Sequence, residues 1–233
     1  MNRQIFLDTE TTGISHKSGH RIIEVGCLEA IDRKLTNRQF HYYINPMREV
    51  DAGAFKVHGL STKFLSDKPK FSEIAAELME FIIGADLVIH NAPFDVGFLD
   101  FELAKLRKSY QPLAKCCGIT DTLVMARKKH PGQKNNLDAL CKRYNINNTH
   151  RELHGALLDA ELLAQMYFRM TGGQKNLFDN VIVDDLAASH VQSTDAALST
   201  PTSVLAQISK EEELLHDRYL ASMRDDGKCD WLD

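Results

Sequence analysis

Asp8 and Glu10 stand one residue apart at the end of a short apolar run, in Ile5-Phe6-Leu7-Asp8-Thr9-Glu10-Thr11-Thr12-Gly13. Alternate side chains of an extended strand share a face, so the two acids project together while Thr9 points to the other side. Two carboxylates side by side repel, which raises the pKa of at least one unless a cation neutralises them. Hard divalent cations are those that select oxygen ligands. Taken alone, the pair fits a metal site and a solvated strand end equally well.

Two further places carry residues of the right chemistry. In His90-Asn91-Ala92-Pro93-Phe94-Asp95 an apolar strand gives way to a helix entered through Pro93, so Asp95 lies in the first helical turn. An acid there also complements the helix dipole with no catalytic duty. In His154-Gly155-Ala156-Leu157-Leu158-Asp159 the five-residue spacing would set the two side chains about 140° apart on a continuous helix, at 3.6 residues per turn. The glycine therefore places His154 on a loop that folds back over the site, with Asp159 pointing inward from an early turn. Four acids and one histidine thus arrive at three element ends.

These residues need elements to position them. Beyond the opening strand, Arg21 to Ala30 and Gln39 to Ile44 have strand composition or alternation, which predicts a short meander. Ile74, Leu78, Phe81 and Ile82 recur at helical spacing behind Ser72 as the expected N-cap, and Leu87-Val88-Ile89 is a short buried strand. Further helices are expected from Pro93 to about Arg107, Asp121 to Lys129, Leu137 to Tyr144 and Gly155 to Met170. Strands followed by a helix and strand succession imply a mixed sheet covered by helices.

The five chemical residues together resemble the DEDDh group of 3'-5' exonucleases, the DnaQ-like family with a ribonuclease H-like fold. Asp8 and Glu10 match its first motif, Asp95 its second, and His154 with Asp159 its third. A histidine five residues ahead of the last aspartate marks this group; a sister group has a tyrosine four residues ahead. The likeness extends through Val57-His58-Gly59-Leu60, Asn91, Thr120-Asp121-Thr122 and Asn136-Leu137-Asp138-Ala139-Leu140-Cys141, and so covers residues 4 to 171. Within the family it is strongest to the proofreading subunits of bacterial DNA polymerase III.

The resemblance implies an α/β fold with a mixed five-stranded sheet flanked by helices. It implies two Mg²⁺ or Mn²⁺ ions, which in such sites lie roughly 3.5 to 4 Å apart. Asp8 would bridge both, Glu10 and Asp159 would complete their ligand sets, and Asp95 would act largely through bound water. His154 would be the general base for the attacking water, imidazole being the side chain that titrates near neutral pH. The product would be a nucleoside 5'-monophosphate. Thr9, Thr11 and Gly13 would meet the terminal nucleotide beside Asp8, Glu10 and Asp159. His58, Leu60 and Phe94 would wedge against or stack on unpaired bases, with Asn91 also among the substrate-binding positions. The family's proofreading subunits often carry a glutamate five residues before the motif histidine, where this chain has Gly53.

The chain then changes texture. Residues 1–173 are the expected exonuclease domain, 174–203 a flexible linker rich in Ser, Thr and small residues, and 204–233 a short helical tail opened by the capping box Ser209-Lys210-Glu211-Glu212. Gln174-Lys175-Asn176-Leu177-Phe178 resembles the sliding-clamp-binding motif of bacterial replication proteins, with Gln174, Leu177 and Phe178 as its anchors. The same resemblance implies that the tail docks the polymerase III alpha subunit, folding on contact. A small third core subunit is a further possible partner.

Composition narrows the field. The 233 residues, 43% hydrophobic, suffice for one full core and a tail. With 32 acidic against 28 basic residues the formal charge is -4, so nucleic-acid binding must rest on local charge. Arg127, Lys128, Lys129, Lys134, Lys142, Arg143 and Arg151 form either a backbone-binding rim or an ordinary solvated surface. The five cysteines lack zinc-site spacings and read as reduced thiols. A strand beginning just after Gln4 leaves no room for a signal peptide and no run is long enough to span a membrane, so a cytoplasmic protein is expected. Two rivals share the expected fold or tail: an exoribonuclease with the same five residues, and a scaffold joining polymerase to clamp with incidental nuclease activity. Aspartate-nucleophile phosphatases, a third, require aspartate where Glu10 stands and leave His154 and Asp159 without a role.

Overall fold

The computed structural model describes residues 2–106, 108, 110–148 and 153–172. The linker over 174–203 with Gln174, Leu177 and Phe178, the tail over 204–233, Cys229, Arg107 and Arg151 lie outside the described residues.

Alternation in the opening strand divides it between two cores. In β1 (Arg3–Thr11), Ile5 and Leu7 enter one apolar cluster while Phe6 enters another on the opposite face. β2 (Ile22–Ile31) pairs antiparallel with β1, and β3 (Lys34–Tyr43) pairs antiparallel with β2. The turn between them is made by Asp32 and Arg33, both at positive φ, the backbone of a two-residue hairpin loop. β4 (Asp86–Ile89) runs parallel to β1, and β5 (Gly118–Asp121) parallel to β4, giving the order β3-β2-β1-β4-β5. The expected mixed five-stranded sheet is therefore present. Its fifth strand is four residues long with Ile119 as its one aliphatic member, too little for a periodic signal.

Helices cover both faces. Among the described residues seven short or medium α-helices precede the last: α1 (Ala52–His58), α2 (Thr62–Leu65), α3 (Phe71–Ile82), α4 (Ala92–Ala104), α5 (Leu113–Cys116), α6 (Thr122–Lys129) and α7 (Leu137–Arg143). The eighth, α8 (Ala156–Thr171), lies against β1 and β2. Ile74, Leu78 and Ile82 of α3 and Phe98 and Leu99 of α4 pack with Ile5 and Leu7, while Leu140 of α7 and Leu163 and Met166 of α8 pack with Phe6. Phe6 meets Tyr167 and Phe168 edge-on, with ring centroids 5.6 and 5.2 Å apart, which seats the C-terminal half of α8 over the start of β1.

Ser72 is not the cap of α3. The helix begins two residues earlier behind Lys70, because the Glu73 carboxylate accepts the Lys70 N–H at 3.0 Å and satisfies that donor without a capping hydroxyl. α4 also stops short of Arg107, with Lys105 as its C-cap. Glu102 of α4, 1% exposed, takes the Arg21 guanidinium on both oxygens, at 2.6 and 2.7 Å, and so ties α4 to the start of β2. Cys27, Cys116, Cys117 and Cys141 are free thiols, as expected. No helix of the described residues is long and apolar enough to cross a membrane.

Candidate active site

Strand register decides what surrounds the acid pair. Glu10 faces Glu24 of β2, a buried carboxylate held by His41 Nε2 at 2.8 Å, and the pairing shifts at a bulge between Glu10 and Thr11. Such an irregularity ends regular pairing and re-aims the chain beside a site. Asp8 faces Gly26. A Cβ on Gly26 would lie 2.3 Å from Leu157 N and 2.4 Å from the Ala156 carbonyl carbon, so the missing side chain is what lets the start of α8 rest on the sheet above Asp8. Sequence reading passed over this glycine, which inside an apolar strand was the one signal of a close backbone approach.

Gly26 therefore has a testable role. Gly26→Ala should push the start of α8 outward, lowering stability by about 1–3 kcal/mol and activity by roughly tenfold to a hundredfold. Thermal unfolding and 3'-end digestion measured together check it; wild-type values in both would show that α8 does not depend on that contact.

The helix start carries the third motif. Asp159 lies in the first turn of α8, 3% exposed, and His154 lies before its N-cap Gly155, off the helix as the spacing requires. Its ring turns back so that Nδ1 stands 3.3 Å from Asp159 Oδ2. The His154 N–H donates to the Val57 carbonyl at 3.1 Å, and Leu153 packs so tightly on Gly59 that a Cβ there would meet Leu153 Cδ1 at 2.6 Å. The loop is thus pinned to the end of α1. Glu10, His154 and Asp159 each offer a ligand atom within 4.8 Å of the others, and Asp8 stands two residues before Glu10 on the same strand face. Carboxylate oxygens with one imidazole suit a hard divalent cation.

Asp95 approaches from the other face. Its Oδ1 accepts the Thr9 N–H at 3.0 Å and the Thr9 hydroxyl at 2.7 Å, so Thr9 binds the second motif to the first. Burial pushes the Asp95 carboxyl well above the usual carboxylate range, against the pull of the two Thr9 bonds, and the Asp121 charge adds to the rise. Burial likewise raises the Cys27 thiol, with the charges of Asp8 and Asp95 contributing.

A cavity of about 410 Å³ opens beside Glu10. Of the expected substrate positions it gathers Glu10, Thr11, Gly13, His58 and Phe94; Asp8, Thr9, Leu60, Asn91 and Asp159 are not in its lining. The Leu60 N–H donates to His58 Nδ1 at 3.0 Å, which leaves the His58 proton on Nε2, and burial lowers the pKa of that ring. Asn91 instead caps α4 at φ 69° and donates its N–H to Asp121 at 3.3 Å. Ile14, His20 and Asp51 also line the cavity and were not foreseen, since they come from the loop after β1 and from the N-cap of α1. Within the basic stretch, Lys129 donates to the Met170 carbonyl and Arg143 to Asn135 and the Lys134 carbonyl, so these two serve internal ties.

The family model described as exonuclease, RNase_T, matches residues 5–167. The chain is similar to the DNA polymerase III subunit epsilon of Pasteurella multocida, 48% identical over 236 residues, covering 98% of this chain and 93% of that one. It is similar to the subunit of the same name from Escherichia coli, 52% identical over 181 residues, covering 76% of this chain and 74% of that one. Among solved structures, exonuclease X in complex with 5' overhanging duplex DNA is 26% identical with a TM-score of 0.56, covering 73% of this chain and 90% of that one. Exonuclease I, 18% identical with a TM-score of 0.63, covers 72% of this chain and 40% of that one and shares the fold.

Proposed function

Because this chain belongs to the exonuclease family, among relatives named DNA polymerase III subunit epsilon, it is a 3'-5' exonuclease, and we propose how its residues perform proofreading. The observation that carries this reading is the gathering of Glu10, His154 and Asp159 within 4.8 Å, on the strand face that also presents Asp8. Asp8, Glu10 and Asp159 would hold two divalent ions, Mg²⁺ or Mn²⁺, with Asp95 in support. When bound, such ions stabilise the attacking and leaving oxygens of a phosphodiester displacement.

The protein's own groups do the rest. His154, 42% exposed at its side chain, reaches the water side of the site and takes the proton of the attacking water. Asp159 orients the imidazole through Nδ1. The cavity beside Glu10 receives the terminal nucleotide, with Phe94 and the exposed Ile14 offering apolar surface to its base. Hydrolysis there releases a nucleoside 5'-monophosphate and leaves a new 3'-hydroxyl on the shortened strand.

In this reading the enzyme works within the polymerase III assembly. Residues 204–233 dock the polymerase alpha subunit, Gln174, Leu177 and Phe178 engage the sliding clamp, and the linker keeps the nuclease at high local concentration near the primer end. A small third core subunit can join the nuclease domain. The test is digestion of a 3'-mismatched DNA and its RNA counterpart, combined with a pull-down on alpha. DNA should be preferred, and deleting residues 204–233 should spare digestion of free single strands while losing alpha. A preference for RNA would favour an exoribonuclease, and unaltered co-purification of the truncated chain would refute the tether.

A further inference from the structure

We propose that Glu24 and His41 are positioning residues, a buried pair that turns the Glu10 carboxylate away from β2 and into the metal site; the assignment rests on the exonuclease reading above. Acids directly opposite in an antiparallel pair have Cβ atoms about 4.5 to 5.5 Å apart and repel each other. Glu10 and Glu24 are such a pair, and Glu24 is 2% exposed, so water screens its charge poorly. A sheet keeps two like charges there at a cost in stability, and here the cost has a use.

The strand register gives each carboxylate its direction. On one sheet face β2 sets Glu24 and Gly26 between two neighbours, with Glu10 and Asp8 of β1 on one side and Tyr43 and His41 of β3 on the other. His41, opposite Gly26, is the diagonal neighbour of Glu24, and its Nε2 lies 2.8 Å from Glu24 Oε1. The carboxylate accepts, so a ring proton is assigned to Nε2. Glu24 is thereby drawn towards β3. The imidazole is backed in turn, meeting Tyr43 at a ring-centroid distance of 5.0 Å, while Tyr43 meets Phe64 of α2 edge-on at 5.1 Å. With the Glu24 charge fixed on that side, Glu10 lowers the repulsion by turning away from it, and there its carboxylate is gathered with Asp159 and His154 within 4.8 Å. The same poorly screened charge adds to the pull of the strand end on a cation.

The experiment titrates Mn²⁺ against the full chain and its variants, reading both digestion of single-stranded DNA and the Tm with no DNA present. Glu24→Gln keeps the shape and the bond to His41 but loses the charge. The Mn²⁺ concentration for half-maximal digestion should then rise by about tenfold to a hundredfold, the usual effect of losing a group that supports a metal ligand. The rise in Tm on adding Mn²⁺ alone should shrink with it. His41→Ala releases Glu24 towards Glu10 and should lower kcat at saturating Mn²⁺ by about tenfold, and His41→Gln, whose amide can donate to Glu24, should recover most of that loss. Because His41 acts through Glu24, His41→Ala should cost little more in the Glu24→Gln background. A Glu24→Gln variant with a lower Tm but an unaltered Mn²⁺ response would make the pair merely structural and overturn the assignment while leaving the exonuclease reading intact, and so would losses that simply add in the double variant. An unaltered chain whose digestion and Tm both ignore Mn²⁺ would overturn that reading, and the positioning pair with it.

Discussion

Asp8→Ala should lower metal-dependent digestion of a mismatched 3' terminus by roughly four orders of magnitude or more, at about 1.4 kcal/mol per decade. The size follows from where Asp8 stands. It shares a strand face with Glu10, lies opposite Gly26 beneath the start of α8, and is half-buried, so its loss removes one of the carboxylates grouped at that strand end. The fold should survive, because the substitution removes one of several like charges packed together and breaks no apolar contact. Without added metal the variant should melt at or above the wild-type Tm. The rise in Tm that the intact protein shows on adding Mg²⁺ or Mn²⁺ should shrink sharply, since a ligand stabilises only through its affinity for the folded state. Retained digestion by a well-folded variant would remove Asp8 from the site.

His154→Ala should slow hydrolysis by about two to four orders of magnitude, the usual worth of a general base, with a different signature. Its side chain is 42% exposed and the loop is held by the His154 N–H to Val57 and by Leu153 on Gly59, none of which needs the imidazole. Stability should therefore change little. The metal-induced rise in Tm should largely persist, because the carboxylates remain. The loss should fall on kcat more than on KM, as for a group that acts only in the reacting state. A wild-type rate would exclude the histidine from the mechanism; a lost metal response would make it a ligand instead of a base.

The two variants separate roles that the geometry crowds together. Asp159 touches both, its carboxylate gathered with Glu10 and standing 3.3 Å from His154 Nδ1. Glu24, buried opposite Glu10 and paired with His41, adds a further acid to the neighbourhood and gives the strand end a strongly negative character. A cation is the natural counterweight.

Much of this was legible in the order of residues. The two-residue spacing of Asp8 and Glu10 committed them to one face and Thr9 to the other, and the structure keeps that division: Thr9 reaches across to Asp95 while Glu10 meets Asp159. The five residues from His154 to Asp159 ruled out a shared helix, and His154 is indeed on the loop before Gly155. Other readings failed for local reasons. Ser72 had the side chain of a cap, but Glu73 could satisfy Lys70 without it. β5 was too short to show a period, and α1 carries His58 as its one buried residue, so no apolar stripe announced it.

The sequence by itself determined the chemistry and the face on which each group stands, because strand and helix periods act over a few residues. The tertiary structure alone decided which groups meet. Gly26 became the seat of α8 through the strand register that sets it opposite Asp8, from the other strand of the β1–β2 pair. Thr9 was joined to Asp95 by the packing of α4, and His20 and Asp51 were set on the wall of one cavity by the bonds between Thr12, Arg21 and the start of α1. Contacts between distant segments depend on how whole elements pack, and no local period records them.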